Sequence, residues 1–227
     1  MKQEKKDLII STIEKSQTIR TRIYGLLSSS EEELNFILEQ LLKKYDCEDK
    51  ISTLYTCVKE ITLNGTKANI KRVLFNELRV DLQDENQYEE GMKQFKAKLT
   101  EEFIFDYAVK AKKMNLYVDI RFEYDENRIL IEVINNSPLT AQEDERIRAK
   151  FETSSKYNDL AEFYMDNADN TEGAGLGITL ILMLLKADGY DPTLFRIFSD
   201  RKTKTVAKLE FPISENYKPE RYRFAET

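Results

Sequence analysis

The sequence predicts an α/β fold, and three observations carry that prediction. Helical periodicity dominates the first half of the chain, alternating apolar residues build two hairpins in the second half, and a glycine cluster opens a strongly apolar helix between those hairpins. In order, Leu8, Ile9, Ile13, Ile19 and Ile23 recur roughly at helical spacing, although 18–24 alternates and fits a strand equally. Ser28-Ser-Ser30 before three glutamates marks a helix start, with anions at the positive end of the dipole. That helix carries Leu34, Ile37, Leu38, Leu41 and Leu42 on one face. A polar break at 46–50 precedes a longer helix, about 51–75, whose buried face is Ile51, Leu54, Tyr55, Val58 and Ile61. The highly charged stretch 79–113 has helical spacing at Phe95, Leu99, Phe103 and Tyr107, which predicts an inserted, solvated helical pair. Segments 116–124 and 129–134 alternate around a turn at 125–127. A polar stretch, 137–172, contains a helix-like segment at 143–151. An apolar helix follows at 178–187, then a last hairpin, 194–199 with 205–213, and a polar tail.

Composition narrows the chemistry. The chain has 227 residues, a formal net charge of −6 and no histidine. A Ser-His-Asp or Cys-His mechanism, a His-ligated zinc and a histidine phosphoacceptor within this chain are therefore excluded. The two cysteines, Cys47 and Cys57, cannot frame a disulfide scaffold and read as ordinary thiols of a reducing compartment. No run approaches the length of a membrane span, and Leu8-Ile9-Ile10 is too short for a signal peptide, so a soluble cytoplasmic protein is expected. The acidic balance argues against a nucleic-acid partner.

Two constellations carry chemistry. Three of only seven glycines, Gly173, Gly175 and Gly177, stand within five residues at a helix entrance. Glycines there let backbone approach a ligand, and free N–H groups with the helix dipole favour a phosphate; a hinge before a core helix is the alternative. The G-x-G-x-G spacing is neither a dinucleotide fingerprint nor a P-loop. On the long helix, Glu60, Asn64 and Lys67 fall at i, i+4 and i+7, within a stripe of about 60°. An amide oxygen suits magnesium, a lysine neutralises phosphate and a carboxylate orients water, while an exposed polar stripe would look the same.

Taken together, E-x-x-x-N-x-x-K on a long helix, Val133-Ile-Asn-Asn136 closing a hairpin strand, and G-x-G-x-G opening a later helix resemble the GHKL ATPase superfamily. Its members include the ATP-binding domains of sensor histidine kinases, anti-sigma-factor serine kinases, and gyrase-type and heat-shock chaperone ATPases. The resemblance covers about 50–213. It implies a two-layer sandwich, a mixed sheet with helices on one face (the Bergerat-type ATP-binding fold), with extra N-terminal helices at 1–48, a helical insertion at 79–113 and a polar tail at 214–227. The 1–48 element would serve docking, dimerisation or the core.

By the same resemblance the cofactors are ATP and Mg2+. Asn64 would hold the metal, Glu60 would lie on its water shell, and Lys67 would approach the phosphates. Gly173, Gly175 and Gly177 would cradle those phosphates below a lid at about 151–171. Asn135, Ser137 and Leu139 stand where the family carries Asp-x-Gly-x-Gly; Asn135 can still accept from an adenine amino group through its amide oxygen, and Pro138 stiffens the loop. Thr205 precedes the strand that closes many kinase members. The implied function is an ATP-binding, histidine-kinase-like signalling protein. Lacking histidine, it would pass phosphate only in trans to a partner such as a response regulator or a sigma-factor-type protein. The alternative is a nucleotide-gated interaction module.

Overall fold

The computed structural model describes residues 1–82, 84–157, 160–166, 176–215 and 217–223. Gly173 and Gly175, and 158–159 and 167–171 of the expected lid, lie outside the described residues.

Helix α1 (Gln3–Glu14) leads to strand β1 (Ile19–Ile23), so the alternating half of that ambiguous segment is a strand. Helix α2 (Ser28–Lys44) buries all five residues of its expected apolar face. Its start differs in one respect: the cap position is Leu27, with no side-chain cap, because the serines have already entered the first turn. Helix α3 (Ile51–Leu78) is 28 residues long. The charged insertion is indeed a helical pair, α4 (Glu85–Lys98) and α5 (Glu101–Lys113). It is not merely solvated, however. Phe95, Tyr107 and Ala111 form a second small core against Ile70, Val73 and Leu74 of α3, and Gly91 sits so close to Phe75 that a Cβ there would lie 2.9 Å from its ring. Phe105 and Val109 remain exposed on the outer side.

The sheet is made by β1, the hairpin β2 (Val118–Tyr124) and β3 (Arg128–Asn135), and the hairpin β4 (Phe195–Ser199) and β5 (Thr205–Pro212). Between β3 and β4 come α6 (Ala141–Ser155), α7 (Leu160–Asp166) and α8 (Leu176–Ala187). The strand order is β1-β2-β3-β5-β4, and every ladder is antiparallel. The expectation of a mixed sheet is thus corrected. The return from the helices does not lay β4 parallel beside β3; β4 takes the edge and its hairpin partner β5 fills the gap, so all neighbours run oppositely.

Pleating sorts the two faces. Val118, Ile120, Phe122, Ile129, Ile131, Val133, Leu209 and Phe211 point to the helix side and are buried in one core with residues of α1, α2, α3 and α8. Residues 1–48 therefore contribute to the common core. The opposite face is charged: Arg22 holds Asp119 at 2.6 Å, and Arg128 and Lys208 both reach Glu220 of helix α9 (Glu220–Arg223) at 2.5 Å. The polar tail thus docks on the sheet through Glu220.

Leu38 is fully buried between α2 and the core, whereas Leu8 of α1 is exposed. We expect Leu38→Ala to cost about 2–5 kcal/mol and Leu8→Ala to stay within about 0.5 kcal/mol. Chemical denaturation at constant m-value measures both, and a Leu38→Ala cost below about 1 kcal/mol would contradict the placing of α2.

Candidate functional site

Two close approaches assemble the site. The first turn of α8 presses on the polar stripe of α3: a Cβ on Gly177 would stand 2.8 Å from Glu60 Oε2 and 2.9 Å from Asn64 Nδ2. Only a glycine leaves both side chains where they are. Gly177 therefore meets two residues that precede it by more than a hundred positions in sequence.

The second approach joins the end of β3 to the middle of α3. Asn135 is buried, and its Nδ2 donates to the carbonyl of Gly65 at 3.1 Å. With its donor used in this way, its Oδ1 is a buried acceptor with no partner. Ser137 is buried nearby and its Oγ also has no partner, while its carbonyl accepts from Thr205 Oγ1 at 2.9 Å. Asn135, Ser137 and Thr205 line a cavity of about 270 Å3, with Asn64 and Ala68 of α3 and Ala207 of β5 among the other lining residues. Asn64 is exposed, so the cavity reaches solvent beside the Glu60–Gly177 contact.

Lys67 lies half-buried on the same helix but does not line this cavity. The cation in the wall is Lys71, one turn further on, with Arg72 beside it. Both pair with Glu143 at the start of α6, Arg72 at 3.3 Å, and Lys71 Nζ also reaches the hydroxyl of Tyr88 at 3.2 Å. Glu143 has a further task, because its carboxylate accepts from the Thr140 backbone N–H at 2.9 Å while Thr140 Oγ1 caps the helix in return. Burial pushes the Glu143 carboxyl up, but Lys71 and Arg72 outweigh it and the net shift is downward.

Sequence reasoning missed Lys71, Glu143, Tyr88 and Met92, the last two supplied to the wall by α4. Lys71 carries a signal, since it stands seven residues after Asn64 and hence on its face. Tyr88, the first aromatic in the charged run, is a weaker one. Among the described residues, no group of three or more Cys, Asp or Glu side chains could hold a metal by itself. The Cys57 thiol is pushed up to about 12, chiefly by burial, which leaves it unreactive.

No protein-family model matches the chain. An uncharacterized protein of Treponema pallidum (strain Nichols) is 33% identical over 156 residues, which is 69% of this chain and 30% of that relative. The chain thus spans less than a third of the relative it matches. Among the described residues, no helix is long and apolar enough to cross a membrane.

Glu143→Gln leaves Lys71 buried without a full counter-charge, and we expect a loss on the order of 3 kcal/mol at neutral pH. The sign with pH follows from the depressed carboxyl: its stabilisation is present above its ordinary value of 4.5 and disappears as pH falls through the lowered one. Unfolding curves of wild type and Glu143→Gln should therefore converge on acidification from pH 6 and not on alkalinisation.

Proposed function

We propose that the cavity takes the base of an adenine nucleotide, with the phosphates and a magnesium ion at the Asn64–Gly177 contact. The protein would then be an ATP-binding, histidine-kinase-like signalling protein. The observation that carries this reading is the meeting of Gly177 with Glu60 and Asn64 at the mouth of a cavity that holds an unpartnered amide acceptor.

The residues fit the group. Small-molecule sites span roughly 300–1,000 Å3, so a cavity of about 270 Å3 suits the base, with the rest of the nucleotide lying outward. Asn135 Oδ1 accepts, which matches the exocyclic amino group of adenine and opposes the carbonyl of guanine at the same ring position. Ser137 Oγ offers a second hydrogen bond. A magnesium ion would be held by Asn64's amide oxygen together with phosphate and water oxygens, which is how this ion is usually held. When bound, magnesium-ATP supplies the transferable phosphoryl group. Glu60 keeps a proton-accepting carboxylate next to Asn64, and Gly177 lets the α8 backbone approach without a side chain between. With no histidine in this sequence, a histidine acceptor would lie outside it, and the phosphoryl group would pass to a partner such as a response regulator, a sigma-factor-type protein or another signalling protein.

A second reading, a nucleotide-gated interaction module, is favoured by α4. Tyr88 and Met92 form part of the cavity wall, so the base would touch the charged insertion directly. Serine, proline and leucine at 137–139 also stiffen the loop that glycines would loosen.

Thermal unfolding with Mg-ATP, Mg-GTP and metal-free ATP tests the site. At a hundredfold excess over Kd, Mg-ATP should add about 2.7 kcal/mol and raise Tm by about 5–10 °C. Mg-GTP should bind at least about tenfold more weakly. Asn64→Ala and Gly177→Ala should remove the metal-dependent part of the shift. A wild type indifferent to magnesium, or an Asn64→Ala variant that keeps the full shift, would overturn the assignment. Radiolabel from ATP on a partner, lost in Glu60→Ala, favours transfer; ATP-dependent binding of an unmodified partner favours the module.

A further inference from the structure

Behind the candidate nucleotide cavity lies a second one of about 390 Å3, opened between α6, α8, β4 and the C-terminal α9. Its lining divides by chemistry. One side is apolar, with Phe151, Phe195 and Leu182, and the rings of Phe151 and Phe195 are 5.4 Å apart. The other side is cationic, with Arg148, Lys186, Arg196 and Arg221, and no Asp or Glu is among its described lining residues.

The state of the donors points to a ligand. Arg196 uses Nη2 on Glu210, and Arg221 uses Nη2 on Asp191 at 3.1 Å, both carboxylates lying outside the lining. Their Nε atoms are buried and have no partner. Thr193 Oγ1, on the same wall, is likewise buried without one. Arg148 has Asp144 at 3.1 Å, whereas Lys186 donates to the carbonyls of Ser155 and Tyr157 and has no carboxylate partner among the described residues. Buried donors are normally satisfied, and a guanidinium has five N–H groups to satisfy. Three unsatisfied donors thus belong to residues of this lining, beside a lysine with no carboxylate partner among the described residues.

We infer that this second cavity is a binding site for a small organic monoanion, a carboxylate or sulfonate carried on an apolar body. The anionic head accepts from Arg196 Nε, Arg221 Nε and Thr193 Oγ1 and supplies the charge that Lys186 lacks. The body lies against Phe151, Phe195 and Leu182. The volume falls within the range of small-molecule sites. The inference stands independently of the nucleotide reading, since the two cavities share only the wall formed by Ile147, Phe195 and Ile197.

The probe is 2-naphthoate, with uncharged 2-naphthylmethanol as its control, titrated into the full chain by calorimetry. Naphthoate should bind saturably at one site and naphthylmethanol at least about tenfold more weakly. The paired variant Arg148→Gln/Arg221→Gln should weaken naphthoate by about tenfold or more. Ser155→Tyr, a substitution at an exposed lining position that removes no cation, should block it and keeps the test valid if the paired variant unfolds. Asn135→Ala, in the other cavity, should leave naphthoate binding unchanged. Absent or non-saturable binding overturns the inference. So does equal affinity for the alcohol, or loss of naphthoate binding in Asn135→Ala, which would place the ligand in the other cavity.

Discussion

Helix α3 has no side that is simply solvated over its second half. Beneath the sheet it buries Leu54, Val58 and Ile61; further along, Ile70, Val73 and Leu74 face the inserted helices. Every backbone polar group in its middle is satisfied inside the helix, so it can pass through the core at no cost in unpaired amides. What remains to be placed is polar side chains, and these are what the neighbouring elements come to meet. Gly65 offers its carbonyl to Asn135, Asn64 and Glu60 take the turn of α8, and Lys71 and Arg72 take Glu143. The site is the set of places where other elements satisfy, or fail to satisfy, the polar stripe of one core helix.

The charges on this protein fall into two energetic classes. Pairs such as Arg22–Asp119 on the open face of the sheet are half-exposed and contribute little each. Glu143 and Glu210 are different, because Glu210 is buried and the Glu143 side chain is only 10% exposed. Glu210 is held by Arg196, by the hydroxyl of Tyr217 and by the Glu220 backbone N–H at 2.9 Å, which ties the C-terminal segment to β5. Removing either carboxylate's partners would strand a charge in a low-dielectric setting, so these two groups constrain the arrangement of α6 and α9 far more than the numerous surface pairs do.

Much of this was legible in residue order. The period of 3.6 in Leu34–Leu42 and the period of 2 in 118–124 are local consequences of which side faces the core, and both elements formed as expected. Local pattern says nothing of which strands become neighbours after a long excursion. The pairing of β3 with β5 spans three helices, and the expected mixed sheet failed on that step. The candidate site divides the same way. Glu60 and Asn64 could be named from spacing within one helix, and Asn135 only from the family resemblance. Lys71 and Glu143 could not be paired, because 72 positions separate them and each alone is an ordinary surface-type residue. Tyr88 was hidden by the charge around it, although its ring, edge-on to Phe75 at 5.5 Å, is what anchors α4 to the wall.

The two cavities are not mechanically separate. Ile147, Phe195 and Ile197 present one side to the cavity beside Asn135 and the other to the cationic one. Close-packed interiors have little room for a side chain to move without displacing its neighbour. Helix α6 carries Ile147 and also carries Glu143 to Lys71, so any displacement of the shared wall acts on the ion pair that holds α6 to α3. A ligand that displaced the shared wall on one side would thus act on the geometry of the other through helix α6. Linkage requires that influence to be equal in both directions: whatever a ligand in the cationic cavity does to affinity across the wall, a ligand across the wall must do to it.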